Sequence, residues 1–175
     1  DTLYCDNLNS EKRKSCITTL NILLDCLLKW FAPILSFTTE EIYSLVSENS
    51  NDSIHLKKFI KTPQNWQNKN LNEKWEKLKK IRDVANISIE NKRADKLIGS
   101  SLESNIKIKL KKDLYNIAKD FDFAELCITS AAEVLLDNDL GEEINVETSK
   151  AEGNKCNVCW KIRKNKCERH GCFLN

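Results

Sequence analysis

The sequence predicts a mainly α-helical protein, with a helical bundle followed by a small α+β unit and a cysteine-rich C-terminal knot. Apolar residues recur at three- and four-residue steps in two long segments of residues 1–98, which is typical of amphipathic helices. Strict alternation in "NIKIKL" (105–110) predicts a half-buried strand, and four cysteines crowd residues 156–172. We therefore expect three parts, at 1–98, 99–149 and 150–175.

The first helix is predicted between Ser10, which can cap its N-terminus, and Pro33, which stops or kinks it. Thr38 followed by Glu41 forms a capping box that predicts a second helix. A short turn joins the two, which favours an antiparallel pair. The apolar face of the first helix consists of Ile17, Leu20, Leu24, Leu27 and Phe31.

Residues 47–72 lack sustained periodicity and are interpreted as a connection with a short apolar segment from Ile54 to Ile60. A longer helix follows, with Asn72 as its N-cap and Gly99 at its end. After "NIKIKL", a short helix is predicted in "KKDLYNIAKDF" and two further strands in "ELCITS" and "EINVETS".

The charge of the chain is unevenly distributed. The net charge of the 175 residues is only +2, but seven of the Lys and Arg residues and only two Glu lie between Lys150 and the end. Such a local excess suits a polyanionic partner. No apolar run is long enough to span a membrane and no secretory signal is visible, so we expect a cytoplasmic protein. The absence of an initial Met suggests a fragment of a longer protein.

The tail "KCNVCWKIRKNKCERHGC" predicts a zinc site. Cys156 and Cys159 form a C-x2-C pair, and Cys167 is the natural third ligand. The fourth is either Cys172, which adds a thiolate, or His170, which restores the two-residue spacing. Four cysteines so close together in a reducing compartment indicate a metal rather than disulfides. Because protein ligands would fill all four positions, the zinc would be structural. The alternative is a set of incidental reduced thiols.

Trp160 directly follows the second cysteine. It could offer a stacking platform for a base, although packing of the knot against the α+β unit explains it more simply. The neighbouring cations could contact phosphates, or they could form a solvated charged loop. These cations are Lys161, Arg163, Lys164, Lys166 and Arg169. With two histidines and four glycines, the chain offers no catalytic constellation or phosphate-binding loop.

Four stretches, taken in order, resemble the C-terminal region of bacterial isoleucyl-tRNA synthetases. They are "YCDNLNSEKRK", "WFAPILSFTTEEIY", "IRDVANISIENKRADKLIGSSLES" and "SKAEGNKCNVCW". The second is shared more loosely by the class I synthetases for isoleucine, valine and leucine. The last two are more specific to isoleucine.

The resemblance implies that the helical bundle is an anticodon-binding domain and that the zinc knot reaches the anticodon arm. The partners would be tRNA(Ile) and the catalytic and editing domains of the same parent chain. ATP would bind only in that catalytic domain, which is absent here. The family commonly ends its zinc motif with a second C-x2-C; in "CERH", His170 stands where a Cys is expected.

Contacts to the tRNA backbone are predicted at Lys77, Lys80 and Arg82 on the long helix and at Arg93 and Lys96 near its end, besides the tail cations. Arg93 could equally pair with a nearby carboxylate. Two other functions remain open. One is a zinc-containing helical protein-interaction module, and the other is the equivalent domain of a valyl or leucyl enzyme.

Overall fold

The computed structural model describes residues 1–49 and 51–170, which form two compact units. The first contains the described residues of Asp1–Gln67 together with Arg169 and His170. The second contains Asn68–Glu168. The long helix, which the sequence analysis assigns to the helical part at 1–98, lies in the second of these units.

Among its described residues, the first unit has the α-helices α1 (Thr2–Cys5), α2 (Glu11–Phe31) and α3 (Ser36–Val46). The predicted cap of α2 is confirmed, since the hydroxyl of Ser10 accepts a hydrogen bond from the Arg13 amide at 3.2 Å. This bond satisfies one of the amides that a helix start leaves without a partner.

The predicted capping box of α3 is wrong, because the helix begins at Ser36, two residues before Thr38. The amides of Ile34 and Leu35 both bond to the carbonyl of Phe31, which reverses the chain early. The helix therefore starts directly after this turn, and Glu41 lies inside it.

The core of the first unit is small and consists of Leu28, Ala32 and Ile54. Ile54 lies in a 3-10 turn (Ile54–Leu56). The carboxylate of Glu40 stabilises this turn, because it accepts hydrogen bonds from the Ser53 hydroxyl at 2.9 Å and from the Ile54 amide at 3.0 Å. Of the apolar segment predicted from Ile54 to Ile60, only Ile54 is fully buried.

The second unit begins with helix α4 (Lys69–Ala94). Asn68, rather than Asn72, caps it and accepts a bond from the Leu71 amide at 2.9 Å. The helix ends at Ala94, before the predicted Gly99. Lys96 adopts a left-handed φ of 58° just beyond the end, a conformation that commonly follows a helix terminus.

Three strands form a mixed sheet in the order β2-β1-β3. β1 (Ser104–Leu110) lies parallel to β2 (Ala131–Leu136) and antiparallel to β3 (Ile144–Lys150). The connection from β1 to β2 contains the short helices α5 (Lys112–Ala118) and α6 (Phe123–Leu126). The strands predicted in "NIKIKL" and "EINVETS" are confirmed.

The strand predicted in "ELCITS" is wrong. Asp122 caps α6 by accepting a bond from the Glu125 amide, so the first residues of that stretch are helical. The strand follows in "AAEVLL", where Ala131 pairs with Asn105 of β1. Pairing with β1 at the edge of the sheet, rather than an intrinsic preference of these residues for strands, determines where β2 forms.

The core of the second unit lies between α4 and one face of the sheet. The buried stripe of α4 consists of Leu78, Ile81, Ala85 and Ile89. It packs with the inward residues of β1, Ile106, Ile108 and Leu110. The ring of Phe121 packs edge-on to Trp75 and Phe123, at centroid distances of 5.3 and 5.5 Å. A helical region followed by a small α/β unit thus matches the predicted fold in outline.

None of the described helices combines the length and apolar character that would let it cross a membrane.

Ile108→Ala should lower the free energy of unfolding by about 2–5 kcal/mol, because it opens a cavity at a completely buried position of the central strand. Urea unfolding followed by far-UV circular dichroism measures the loss. Lys107→Ala, on the opposite face of the same strand, is the control and should change stability by less than about 0.5 kcal/mol. Equal losses for the two variants would contradict the described core.

Candidate metal centre and nucleic-acid interface

A β-hairpin presents the first two cysteines of the tail. Its strands, β4 (Asn154–Lys155) and β5 (Ile162–Arg163), are antiparallel and two residues long. The Cys156 amide bonds to the Lys161 carbonyl, and the Trp160 amide bonds to the Cys156 carbonyl, both at 3.0 Å. These bonds fold the C-x2-C segment into a tight turn, which brings Cys156 and Cys159 together.

Gly153 allows the two strands of this hairpin to come together. Its φ of +133° is rarely adopted by residues with a side chain. A Cβ at this position would lie 2.3 Å from the Arg163 carbonyl oxygen, far inside van der Waals contact. Only glycine therefore fits at the start of the hairpin.

The hairpin is attached to the body of the second unit by two polar contacts. The Ile162 amide donates to the hydroxyl of Ser130 at 2.6 Å, and that hydroxyl donates to the Leu102 carbonyl. The ammonium group of Lys161 donates to the Ala124 carbonyl at 3.2 Å, and the whole residue is only 6% exposed. The attachment is therefore made by buried hydrogen bonds.

Four side chains of the tail converge on one point. The ligand atoms of Cys156, Cys159, Cys167 and His170 all lie within 4.8 Å of one another. Cys159 and His170 are buried, and the other two are half-buried. The geometry thus brings together three predicted cysteines and His170. Cys172, the other predicted fourth ligand, lies outside the described residues.

The spacing of these atoms fits a tetrahedral zinc ion. Two thiolates at the usual Zn–S distance of about 2.3 Å lie about 3.8 Å apart across a tetrahedron. The Sγ atoms of Cys159 and Cys167 are 3.7 Å apart, whereas a disulfide would require about 2.05 Å. Three sulfur atoms and one imidazole also match the donors of structural zinc sites.

His170 has a second contact that suits a metal ligand. Its Nδ1 atom contacts the carbonyl oxygen of Cys5 within the first unit. A proton on Nδ1 would be donated to that oxygen and would leave the lone pair on Nε2 for a metal. Beside it, the guanidinium group of Arg169 forms an ion pair with the carboxylate of Asp6.

Burial raises the pKa of the Cys159 thiol to about 11, and the neighbouring thiols of Cys167 and Cys156 act in the same direction. The group is therefore protonated at neutral pH when no cation is near. A zinc ion would reverse this preference, since it binds the thiolate and releases the proton.

The predicted backbone contacts differ in exposure. Lys77, Lys80 and Lys96 are exposed. Arg82 is half-buried and donates from Nε to the Leu126 carbonyl at 3.2 Å. Arg93 is exposed but pairs with Glu90 at 2.8 Å, which is the alternative that the sequence left open.

The tail cations are also in different environments. Arg163 and Lys166 are exposed, and Lys164 pairs with Glu152 at 3.1 Å on the surface. Lys161 is held inside, so its ammonium group has little surface to offer a phosphate.

Trp160 is 59% exposed, with the ammonium group of Lys155 at 5.4 Å from its ring centroid. More than half of this side chain is therefore open to solvent, while the Lys155 ammonium group lies over one face of its ring.

Sequence reasoning missed the residues that position the hairpin. Gly153 could have been recognised, because a glycine three residues before a C-x2-C pair signals a close backbone approach. Ser130 carries no such signal, since its partners lie 28 and 32 residues away in sequence.

Comparisons with known proteins identify the family of the chain. Residues 1–110 match the family model described as the anticodon-binding domain of tRNA ligase. The chain is 59% identical over 170 residues to an isoleucine–tRNA ligase of Pelagibacter ubique, covering 97% of the chain and 18% of that protein. It is 40% identical over 171 residues to an isoleucine–tRNA ligase of Agrobacterium fabrum, covering 93% of the chain and 18% of that protein.

The chain thus spans less than a fifth of the length of these relatives. The family model covers well over half of the chain and includes α2, α3, α4 and β1. The chain therefore belongs to the family of anticodon-binding domains of tRNA ligases.

Proposed function

We propose that this chain binds tRNA(Ile) through its anticodon arm and positions it for aminoacylation by an isoleucine–tRNA ligase. The observation that carries the proposal is the 59% identity to such a ligase over nearly the whole chain. The ATP-dependent chemistry and the editing of misactivated amino acids would belong to other parts of the parent protein, in the cytoplasm. The chain itself would recognise the tRNA.

Surface chemistry supports this role in the second unit. Lys77 and Lys80 are exposed on α4, Lys77 at the flank of its buried stripe and Lys80 away from it, where both can reach phosphate oxygens. Near the hairpin, Arg163 adds an exposed charge and Trp160 an exposed ring. Unpaired bases of an anticodon loop stack on such rings, while cations hold the backbone.

The tail would hold one structural zinc ion with Cys156, Cys159, Cys167 and His170. The hairpin needs such support, because strands of two residues bury too little apolar surface to fold alone. The ion would fix the turn that carries Trp160, and it would have no open position for catalysis.

Purified chain should contain about one zinc per molecule under reducing conditions without chelator, measured by elemental analysis. His170→Ala should weaken zinc binding by at least about tenfold in a chelator competition, because it removes a ligand. Cys172→Ala is the matched comparison and should retain zinc. If Cys172→Ala loses zinc and His170→Ala retains it, the fourth ligand is Cys172.

Gly153→Ala should also reduce zinc affinity, although residue 153 is not a ligand. The added methyl group collides with the Arg163 carbonyl and strains φ, which opens the hairpin that pairs the first two cysteines. Gly141→Ala is the control, since a Cβ at that position meets no atom within 4 Å. The same chelator competition measures both, and equal affinities would contradict the proposed role of the hairpin.

Binding of a tRNA(Ile) transcript should weaken steeply with salt, because phosphate contacts release counterions. Replacing both Lys77 and Lys80 by Ala should lower the slope of log K against log salt by about 0.7–0.9 for each lost contact, measured by gel shift.

The exposed pair Lys112 and Lys119, replaced together by Ala, is the control for charge removal and should leave the slope unchanged. Undetectable binding of the unsubstituted chain at low salt would overturn the proposed function. Equal binding of tRNA(Val) or tRNA(Leu) would overturn the assignment to isoleucine.

A further inference from the structure

A segment of the first unit remains unexplained by the contacts described above. Residues 55–66, called the exposed strip below, connect the Ile54 turn to the end of the unit. Apart from the end of the Ile54–Leu56 turn and the whole 3-10 turn Gln64–Trp66, the strip has no regular secondary structure, and all of its residues except Ile60 are exposed. Connections of about this length are uncommon within a compact unit and are typical either of binding segments or of linkers.

The composition of the exposed strip is biased towards cations and aromatic rings. No Asp or Glu occurs between Ser53 and Asn72, in a chain in which Asp and Glu number 26 of 175 residues. Three lysines and four large apolar or aromatic residues occur together in "HLKKFIKTPQNW". Phe59 is 62% exposed and Trp66 is 55% exposed, so both rings face solvent.

One end of the exposed strip is fixed. Ile54 is buried in the core immediately before it, and the ammonium group of Lys57 pairs with the carboxylate of Asp52. Hydrogen bonds from Lys57 and then from Tyr43 lower the pKa of the Asp52 carboxyl group, which keeps this pair charged at neutral pH. Lys58 and Lys61 are exposed beyond this anchor.

We propose that the exposed strip binds single-stranded RNA, with Phe59 and Trp66 stacking on unpaired bases and Lys58 and Lys61 contacting the backbone. This inference rests on the proposed function and adds a second contact region to it. Base-on-ring stacking combined with a cationic backbone contact is the usual chemistry of single-strand binding. A protein partner fits less well, because the centres of protein interfaces are depleted in lysine.

The test uses the full chain and two labelled RNA probes in fluorescence anisotropy titrations. One probe is a hairpin with the anticodon loop of tRNA(Ile), and the other is a blunt duplex of the same stem. Phe59→Ala and Trp66→Ala should each weaken binding of the hairpin roughly 5- to 150-fold, the change that corresponds to one lost base stack. Binding of the duplex should not change, because it has no unpaired base to stack.

Three variants separate stacking from other effects. Trp66→Phe should retain most of the affinity, since it keeps an aromatic face. Phe37→Ala, in which an aromatic residue that is 93% exposed outside the strip is replaced, should bind as the unsubstituted chain does. Replacing Lys58 and Lys61 together by Ala should lower the salt slope by about 0.7 for each contact, whereas the ring variants should leave that slope unchanged.

The outcomes distinguish this inference from the proposed function. If Phe59→Ala and Trp66→Ala bind the hairpin like Phe37→Ala, the exposed strip is not an RNA contact, while tRNA binding by the chain stands. If the ring variants change the sedimentation of the chain but not its RNA affinity, the strip contacts protein instead. If the unsubstituted chain binds neither probe, both the inference and the proposed function fail.

Discussion

The packing of α4 on the central strand is the interaction on which the second unit depends. Ile81 and Ala85 of the helix and Ile108 of β1 are completely inaccessible to solvent, and the remaining core residues surround them. A helix with one buried stripe has a fixed rotation about its axis. This rotation directs Lys77 and Lys80 outwards, and it explains why a helix with many lysines can belong to a folded core.

Some patterns that depend on neighbours in sequence were predictable, although the caps expected at Thr38 and Asn72 were not correct, and those that depend on distant partners were not predictable. The cap at Ser10 and the alternation of β1 follow from local chemistry. By contrast, periodicity indicated that α4 has an apolar face but not that this face packs on a sheet following it in sequence. The strand Ala131–Leu136 was missed for the same reason, because pairing with β1 determines it.

The ligands of the candidate metal centre were likewise predictable only in part. The C-x2-C pair and the third cysteine were identified from spacing, whereas spacing left two possible fourth ligands. Folding brings His170 beside the three thiols, which no count of intervening residues could establish. Lys161 shows the reverse: it belongs to a basic run in the sequence, yet its contact with the Ala124 carbonyl gives it a structural role.

The hairpin and the exposed strip are two short polar segments that obtain a defined conformation at different stages. The hairpin has hydrogen bonds to Ser130 and a set of converging ligands, so the proposed zinc ion would fix its shape independently of RNA. The strip is held near its start, by the burial of Ile54, the ion pair of Lys57 and the contact of His55 with the Ser36 carbonyl, and its other residues would lose conformational freedom on binding RNA as proposed. The free energy gained when a base stacks must therefore exceed the entropic cost of ordering the aromatic ring beneath it. Two aromatic rings of few rotamers meet this condition better than longer apolar side chains would, because an aromatic side chain has only two rotatable angles to restrict.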